Sequence, residues 1–175
     1  MRAEDFVKLM TDCRNAVRES MPAILFNATL HVAKEMEWRV FNNGQTIHGE
    51  TLRYRSAGYK RKREKRGRQV GYKDFQMADN LFNSMAVIES SDTKVVYGFS
   101  SAETAKVANL VTAQIDLKVS DVWGLSEKEK IVASKSIEGG VVRVINSVVR
   151  QYPNKPRPVQ RQKEPRKPAV KPYKK

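Results

Sequence analysis

Residues 81–99, LFNSMAVIESSDTKVVYGF, decide the fold. Two runs rich in β-branched and aromatic residues, 81–89 and 94–99, flank the polar turn Ser90-Ser91-Asp92-Thr93, a pattern that predicts a β-hairpin. In the first run Phe82, Ser84, Ala86 and Ile88 alternate with Leu81, Met85 and Val87, with Asn83 among the latter. The split is imperfect, as expected for a sheet with protein on both sides.

Downstream, Ser100 followed by Glu103 forms a capping box that opens a helix through Ala105, Val107, Ala108 and Leu110 to about Val111. Residues 113–123, AQIDLKVSDVW, alternate enough to predict a further strand, with Ile115, Leu117 and Val119 on one side. A second capping box, Ser126 with Glu129, begins a last helix carrying Ile131, Val132, Ile137, Val141, Val144, Ile145 and Val148. Gly139-Gly140 costs that helix roughly 1 kcal/mol per glycine, with a bend as the expected consequence. Upstream, Phe6, Leu9, Met10, Cys13 and Val17 predict an amphipathic helix over residues 2–19. Ile24, Leu25, Ala28, Val32, Met36 and Val40 predict another over 22–41, stopped by Asn42-Asn43-Gly44. Ser20 and Pro22 stand between them, so the pair reads equally as two helices or as one kinked helix.

The elements read from the residues are of α+β type: a hairpin, with long helices at the N- and C-terminal ends. Residues 1–150 form one domain, interrupted by a long basic loop at 44–73. Residues 151–175 hold six of the seven prolines, interleaved with Lys and Arg, and read as an extended, disordered tail.

The formal charge of +14 is unevenly spread over the 175 residues. Between positions 53 and 68 there are nine basic side chains and one acid, Glu64; positions 151–175 hold nine basic and one acid, Glu164. The remaining body has 15 basic and 17 acidic residues, about −2. A near-neutral globule with two cationic appendages suits polyanions or acidic protein surfaces, through salt-sensitive contacts. The single cysteine, Cys13, excludes an intramolecular disulfide, and on the apolar side of a helix it reads as a small core residue. The N-terminus lacks the apolar core of a signal peptide, and no apolar run approaches a membrane span. These features predict a soluble protein used without export and without membrane contact.

No catalytic constellation stands out. His31 and His48 lack Cys, Asp or Glu at ligand spacing, so neither a metal nor another cofactor is expected. Gly58, Gly67 and Gly71 lack phosphate-loop spacing, and Glu127, Glu129 and Glu138 read as the solvated face and first-turn charges of a helix. An enzyme is therefore not expected. The basic loop is the strong local signal. Its candidate contacts are Arg53, Arg55, Tyr59, Lys60, Arg61, Lys62, Arg63, Lys65, Arg66, Arg68 and Tyr72. Cations could meet phosphates while Tyr54, Tyr59 and Tyr72 stack. Equally, the run could be a solvated charge cluster or an arm docking on neighbours in an assembly, ordered only by its partner. In the tail the candidates are Lys155, Arg157, Arg161, Lys163, Arg166 and Lys167, either solubilising or ordered along a neighbouring subunit.

Three blocks, in order, resemble the tail-completion or neck proteins of tailed bacteriophages. The first is the Tyr- and Lys-rich loop leading into Lys73-Asp74-Phe75-Gln76-Met77-Ala78-Asp79-Asn80-Leu81. The second is Tyr97-Gly98-Phe99-Ser100 before an alanine-rich helix, and the third is Trp123-Gly124-Leu125-Ser126 opening the last helix. Together they span roughly residues 40–135. Ala78-Asp79 stands where that family commonly has Thr-Gly, and residues 113–122 lack its usual glycine and Arg-Pro pair. The resemblance implies an α+β subunit, an antiparallel sheet packed by the long N- and C-terminal helices, of a structural virion protein assembled in the host cytoplasm. It would form a homo-oligomeric ring, commonly six-fold, that joins head to tail beside connector, neck and tail proteins. The basic loop would either reach an adjacent ring or face the channel, where non-specific contact with genomic DNA could occur. The alternative from the charge alone is a small basic nucleic-acid-binding protein of the ribosomal or packaging-accessory kind.

Overall fold

The two N-terminal apolar patterns fold as one helix. In a computed structural model that describes residues 2–75, 80–113 and 117–152, helix α1 runs Ala3–Glu37 with Pro22 inside it. Proline lacks the N–H that would reach the carbonyl four residues back. That carbonyl belongs to Arg18, an exposed residue, so water can satisfy it and the helix continues. At the N-terminus the Asp5 carboxylate accepts the backbone N–H of Arg2 at 3.2 Å.

α1 passes directly into a π-turn, Trp38–Asn42, closed by Asn43 N–H donating to the Trp38 carbonyl at 3.0 Å. The wide turn lets three consecutive residues, Arg39, Val40 and Phe41, all be buried. Gly44 then reverses the chain at φ +57°, where a Cβ would lie 2.2 Å from the Tyr72 ring.

The Ser126–Glu129 box forms as its spacing predicts and starts helix α6, Glu127–Val149: Ser126 N–H donates to the Glu129 carboxylate at 2.7 Å, and Ser126 Oγ accepts Glu129 N–H at 3.3 Å. α6 runs antiparallel to α1. Tyr152 donates to Asp12, Gly140 meets Ile24, His31 meets Ser136 and Lys128 pairs with Glu35. Gly139-Gly140 does not interrupt the helix. A Cβ on Gly140 would fall 2.8 Å from Ile24 Cγ2, so the glycine lets the two helix backbones approach closely.

Burial corrects several assignments. Glu129 is not a solvated first-turn charge but 1% exposed, its carboxylate held by Arg39 Nε at 2.8 Å. The same guanidinium donates to the carbonyls of Gln45, Val122 and Gly124 at 3.1, 2.9 and 2.8 Å. Its fork thus joins the π-turn, the chain after it and the start of α6, with hydrogen bonds that offset the loss of hydration. Leu9 and Cys13 are buried as expected, and burial raises the Cys13 thiol pKa. Phe6 and Met10 are instead more than half exposed. Ile131 is also exposed.

The hairpin forms from β1, Met85–Ser90, and β2, Val95–Phe99, paired antiparallel with Met85 opposite Phe99 and an irregularity between Val87 and Glu89. The first strand begins later than expected, because residues Asn80–Asn83 form a helical turn, α3, that buries Leu81. Helix α2, Ala57–Glu64, occupies the middle of the basic loop. Helix α4, Ala102–Ala113, is capped one residue later than predicted: Ser101 Oγ, not that of Ser100, accepts Thr104 N–H at 3.2 Å. It buries Ala108 and Thr112 but leaves Val107 and Leu110 outside.

The expected strand at 113–123 is not formed in its described part. Residues 114–116, Ile115 included, lie outside the described residues, and Val119–Trp123 is a short helix, α5. A helical turn puts Val122 and Trp123 side by side in the core, whereas a strand would point them to opposite faces. Trp123 is the hub. Its ring lies 5.9, 5.2 and 5.0 Å from those of Phe41, Phe75 and Phe99, and its Nε1–H donates to Thr112 Oγ1 at 3.1 Å. Around it pack Met36, Val40, Leu52, Leu81, Met85 and Tyr97. The Tyr97 hydroxyl donates to Glu37 at 2.5 Å, and burial, then that bond, pushes its pKa upward, so it remains a donor. Among the described residues no helix is long and apolar enough to cross a membrane.

Candidate functional site: the basic loop

Residues 44–73 are not a featureless arm. The segment is tied at its root by Leu52, 1% exposed, whose N–H donates to the Gly44 carbonyl and whose carbonyl accepts Lys73 N–H, both at 2.6 Å. Between Gln45 and Thr51, paired by an antiparallel bridge, Thr46 Oγ1 accepts the N–H groups of His48 and Glu50 at 3.2 Å each. Ile47 N–H donates to the Asp121 carbonyl at 2.8 Å, fastening this turn to α5.

α2 then forms for identifiable reasons. Ser56 is its N-cap, accepting Tyr59 N–H at 3.2 Å, and Arg61, Lys62 and Arg63 fill its last turn, where cations suit the helix dipole. An eight-residue helix is not stable alone in water, so tertiary contacts must hold it. They come from Tyr59 and Arg63, one helical turn apart.

Arg63 is wholly buried. Its Nη2 donates to Asp74 Oδ2 at 2.7 Å, its Nε donates to the Gln69 carbonyl at 2.9 Å, and its guanidinium carbon sits 5.0 Å from the centre of the Tyr54 ring. Asp74 also accepts from the Tyr54 hydroxyl at 3.0 Å and from Gln69 Nε2 at 2.8 Å. Burial, then the Asp74 charge, pushes the Tyr54 hydroxyl pKa upward, so it stays a donor to the carboxylate. Tyr54 and Tyr59 pack with ring centres 5.4 Å apart. Beside this knot Lys73 is buried with its Nζ 5.2 Å from the Phe75 ring centre, and burial lowers its pKa to about 8. Phe75 itself has φ +55°, a strained conformation for a residue with a Cβ; its ring is buried against Trp123.

The structure therefore divides the candidate contacts. Arg53, Arg55, Arg61, Lys62, Lys65 and Arg66 are exposed, while Tyr59, Lys60, Arg68 and Tyr72 are half-buried. Arg63 cannot reach a partner, and Tyr54 is unavailable for stacking because both belong to the anchor. Lys155, Arg157, Arg161, Lys163, Arg166 and Lys167 lie outside the described residues. Asp74 and Gln69 were not among the candidates. A visible sign of the anchor is Ser56 as a cap with Tyr59 and Arg63 four apart, which gives the charge run an inner side.

Elsewhere an open apolar groove of about 390 Å³ lies between α1, α6 and the hairpin, lined by Leu25, Val32, Met36, Val95, Leu125 and Ile137 among others. Comparison of the chain with protein-family models, with curated proteins and with solved structures finds no match.

Proposed function

We propose that this protein is a structural subunit of a tailed-phage virion, forming a homo-oligomeric ring, six-fold by resemblance, at the head–tail junction and joining head to tail by protein–protein contacts. The observation that carries the reading is the amount of apolar side chain left outside on a small body. Phe6, Val7 and Met10, neighbours at helical spacing, project from the first turns of α1 at 55, 63 and 54% exposure. Contiguous apolar surface of this kind marks interaction sites. A closed ring needs two unlike patches that meet head to tail. The projecting end of α1 and the apolar groove are such a pair, separated along the helix by about 20 residues, roughly 30 Å.

The three blocks behind the phage resemblance also have physical roles that suit one compact subunit. Asp74 anchors α2, Tyr97 and Phe99 pack the hairpin on the core, and Trp123 with Ser126 centres the core and starts α6. The virion neck, with assembly in the host cytoplasm beside connector and tail proteins, is the setting this reading assigns.

The test is a Phe6→Asp/Met10→Asp variant compared with the unaltered chain. Native mass measurement should find a closed oligomer for the unaltered chain and a folded monomer for the variant. A phage supplied only with the variant should accumulate unjoined heads and tails. An unaltered chain that stays monomeric at assembly concentrations, or a variant that joins heads to tails normally, would refute the reading. Deleting residues 56–70 is a poorer test, because it strips Arg63 from buried Asp74 and unfolds the site it is meant to silence.

A further inference from the structure

The anchor of α2 fixes what its other side presents. With Tyr59 and Arg63 turned inward, Arg61, Lys62, Lys65 and Arg66 all lie exposed, with Glu64 at one flank. Arg61 and Lys62 sit in the last turn of α2, and Lys65 and Arg66 follow in the turn that closes it, where Lys65 N–H donates to the Arg61 carbonyl at 3.0 Å and Arg66 N–H to that of Arg63 at 2.9 Å. Arg61 and Lys65, like charges four apart, oppose this arrangement by a few tenths of a kcal/mol. Three surface lysines elsewhere are neutralised, Lys94 by Glu89, Lys128 by Glu35 and Lys130 by Glu127, at 2.6–2.7 Å, while others such as Lys8 and Lys106 stand exposed singly rather than in a cluster. Among the described residues none of the four outward cations of α2 has an ion-pair partner. The helix is held by its buried root in an arrangement that repels itself and that a row of anions would relieve.

Two features decide the class of anion. Protein partners bury apolar side chains at the centre of the contact, yet none of the exposed large hydrophobic residues falls between positions 53 and 73. Single-stranded nucleic acid is gripped by aromatic stacking, yet Tyr54 is buried, Tyr59 packs against it and the Tyr72 ring lies against Gly44. What remains outside is a pre-ordered surface of four cations and one acid, Glu64.

We propose that the outer side of α2 and of the turn that closes it is a sequence-independent contact for the phosphodiester backbone of duplex DNA, made through Arg61, Lys62, Lys65 and Arg66. This deepens the assembly reading by naming what the loop touches, and it rests on that reading for where the DNA is met: the genome passing the junction. Because the root is already folded, binding needs no ordering of the loop, unlike a disordered arm that folds on contact.

The experiment is an anisotropy titration of a labelled mixed-sequence duplex with the full chain, against the variant Arg61→Gln/Lys62→Gln/Lys65→Gln/Arg66→Gln, across a salt series. Four phosphate contacts contribute about −3.6 to the slope of log affinity against log salt, roughly a 150-fold loss between about 50 and 200 mM. The variant should show a slope shallower by that amount and an unchanged thermal midpoint, since none of the four side chains is buried. The cations of residues 151–175 are present in both proteins, so the difference between slopes isolates α2. Equal slopes would overturn the proposal. So would tighter binding, lost in the same variant, to the single strand or to poly-glutamate, the latter marking an acidic protein partner. Native mass measurement of both proteins separates this from the assembly reading. A variant that keeps its oligomer but loses DNA supports the division of labour, whereas a monomeric chain with the expected slope difference sinks the ring and leaves the DNA face standing.

Discussion

Arg63→Met tests whether the basic loop is rooted in the body as described. The guanidinium is fully buried and the Asp74 side chain is 5% exposed, 2.7 Å away. Methionine keeps the stem and removes the charge, leaving a buried carboxylate that accepts from the Tyr54 hydroxyl and Gln69 Nε2, both neutral. Breaking a buried pair from one side costs about 3–5 kcal/mol, because the remaining charge has lost its compensation. Against a total stability of roughly 5–15 kcal/mol that is a large fraction. For a chain of this size it lowers the thermal midpoint by roughly 6–20 °C. Arg61→Met, two residues away but exposed, should stay within about 0.5 kcal/mol. Adding Asp74→Asn to Arg63→Met removes the stranded charge and should recover about 2 kcal/mol, a coupling read from the double-mutant cycle. The assay is urea unfolding followed by circular dichroism. If Arg63→Met and Arg61→Met unfolded at the same urea concentration, the root would not exist in solution and the pre-ordered helix would fall with it.

Gly140→Val places a branched side chain where a Cβ already comes 2.8 Å from Ile24, and the overpacking should cost about 1–3 kcal/mol; Ile24→Ala in the same chain should relieve part of it, as calorimetry can show. Glu129→Gln keeps the shape but withdraws the charge that meets Arg39, and stability should drop by about 1.5–3 kcal/mol while Glu127→Gln, at an exposed site, changes little in the same denaturant series. Lys73 gives a pH dependence. Its folded pKa, about 8, lies below the ordinary 10.5, so the unfolded chain binds more protons between those values and stability rises with pH across that window. The gain should be on the order of 2 kcal/mol between pH 8 and 10. It should vanish in Lys73→Met, which urea midpoints at each pH would reveal.

The pieces of the fold that could be read in the sequence are those whose cause is local. Apolar alternation with a polar turn marked the hairpin, and the spacing of Ser126 and Glu129 marked the start of α6. Helical periodicity marked α1, although only the exposed position of Arg18 allows Pro22 to pass without a break. What could not be read depends on partners far along the chain. Glu129 looked like any first-turn acid because Arg39 lies 90 residues away. Residues 117–123 carry an alternation that suits a strand, but Val122 and Trp123 are needed side by side in the core. The basic loop was the hardest case. Its composition signals solvent, and the one local sign that Arg63 is inside is the Ser56 cap with Tyr59 and Arg63 four apart. That follows from a single carboxylate eleven residues on and a tyrosine ring that closes over it.

The π-turn at Trp38–Asn42 has a consequence for how such a molecule could change. A π-turn is an α-helix carrying one residue more than its ladder requires. Deleting that residue would restore an ordinary helix and rotate everything before it by about 100° relative to everything after it. The α1–α6 pair would swing, with its projecting N-terminal end, against the hairpin and α2. The bonds that tie the two sides together, Tyr97 to Glu37 and Arg39 to Glu129, would have to re-form in a new register. In a ring, the bearing between surfaces sets the angle between neighbours and hence how many copies close the circle. The loss of a single codon at this turn would act on the geometry of an assembly through contacts buried inside one subunit.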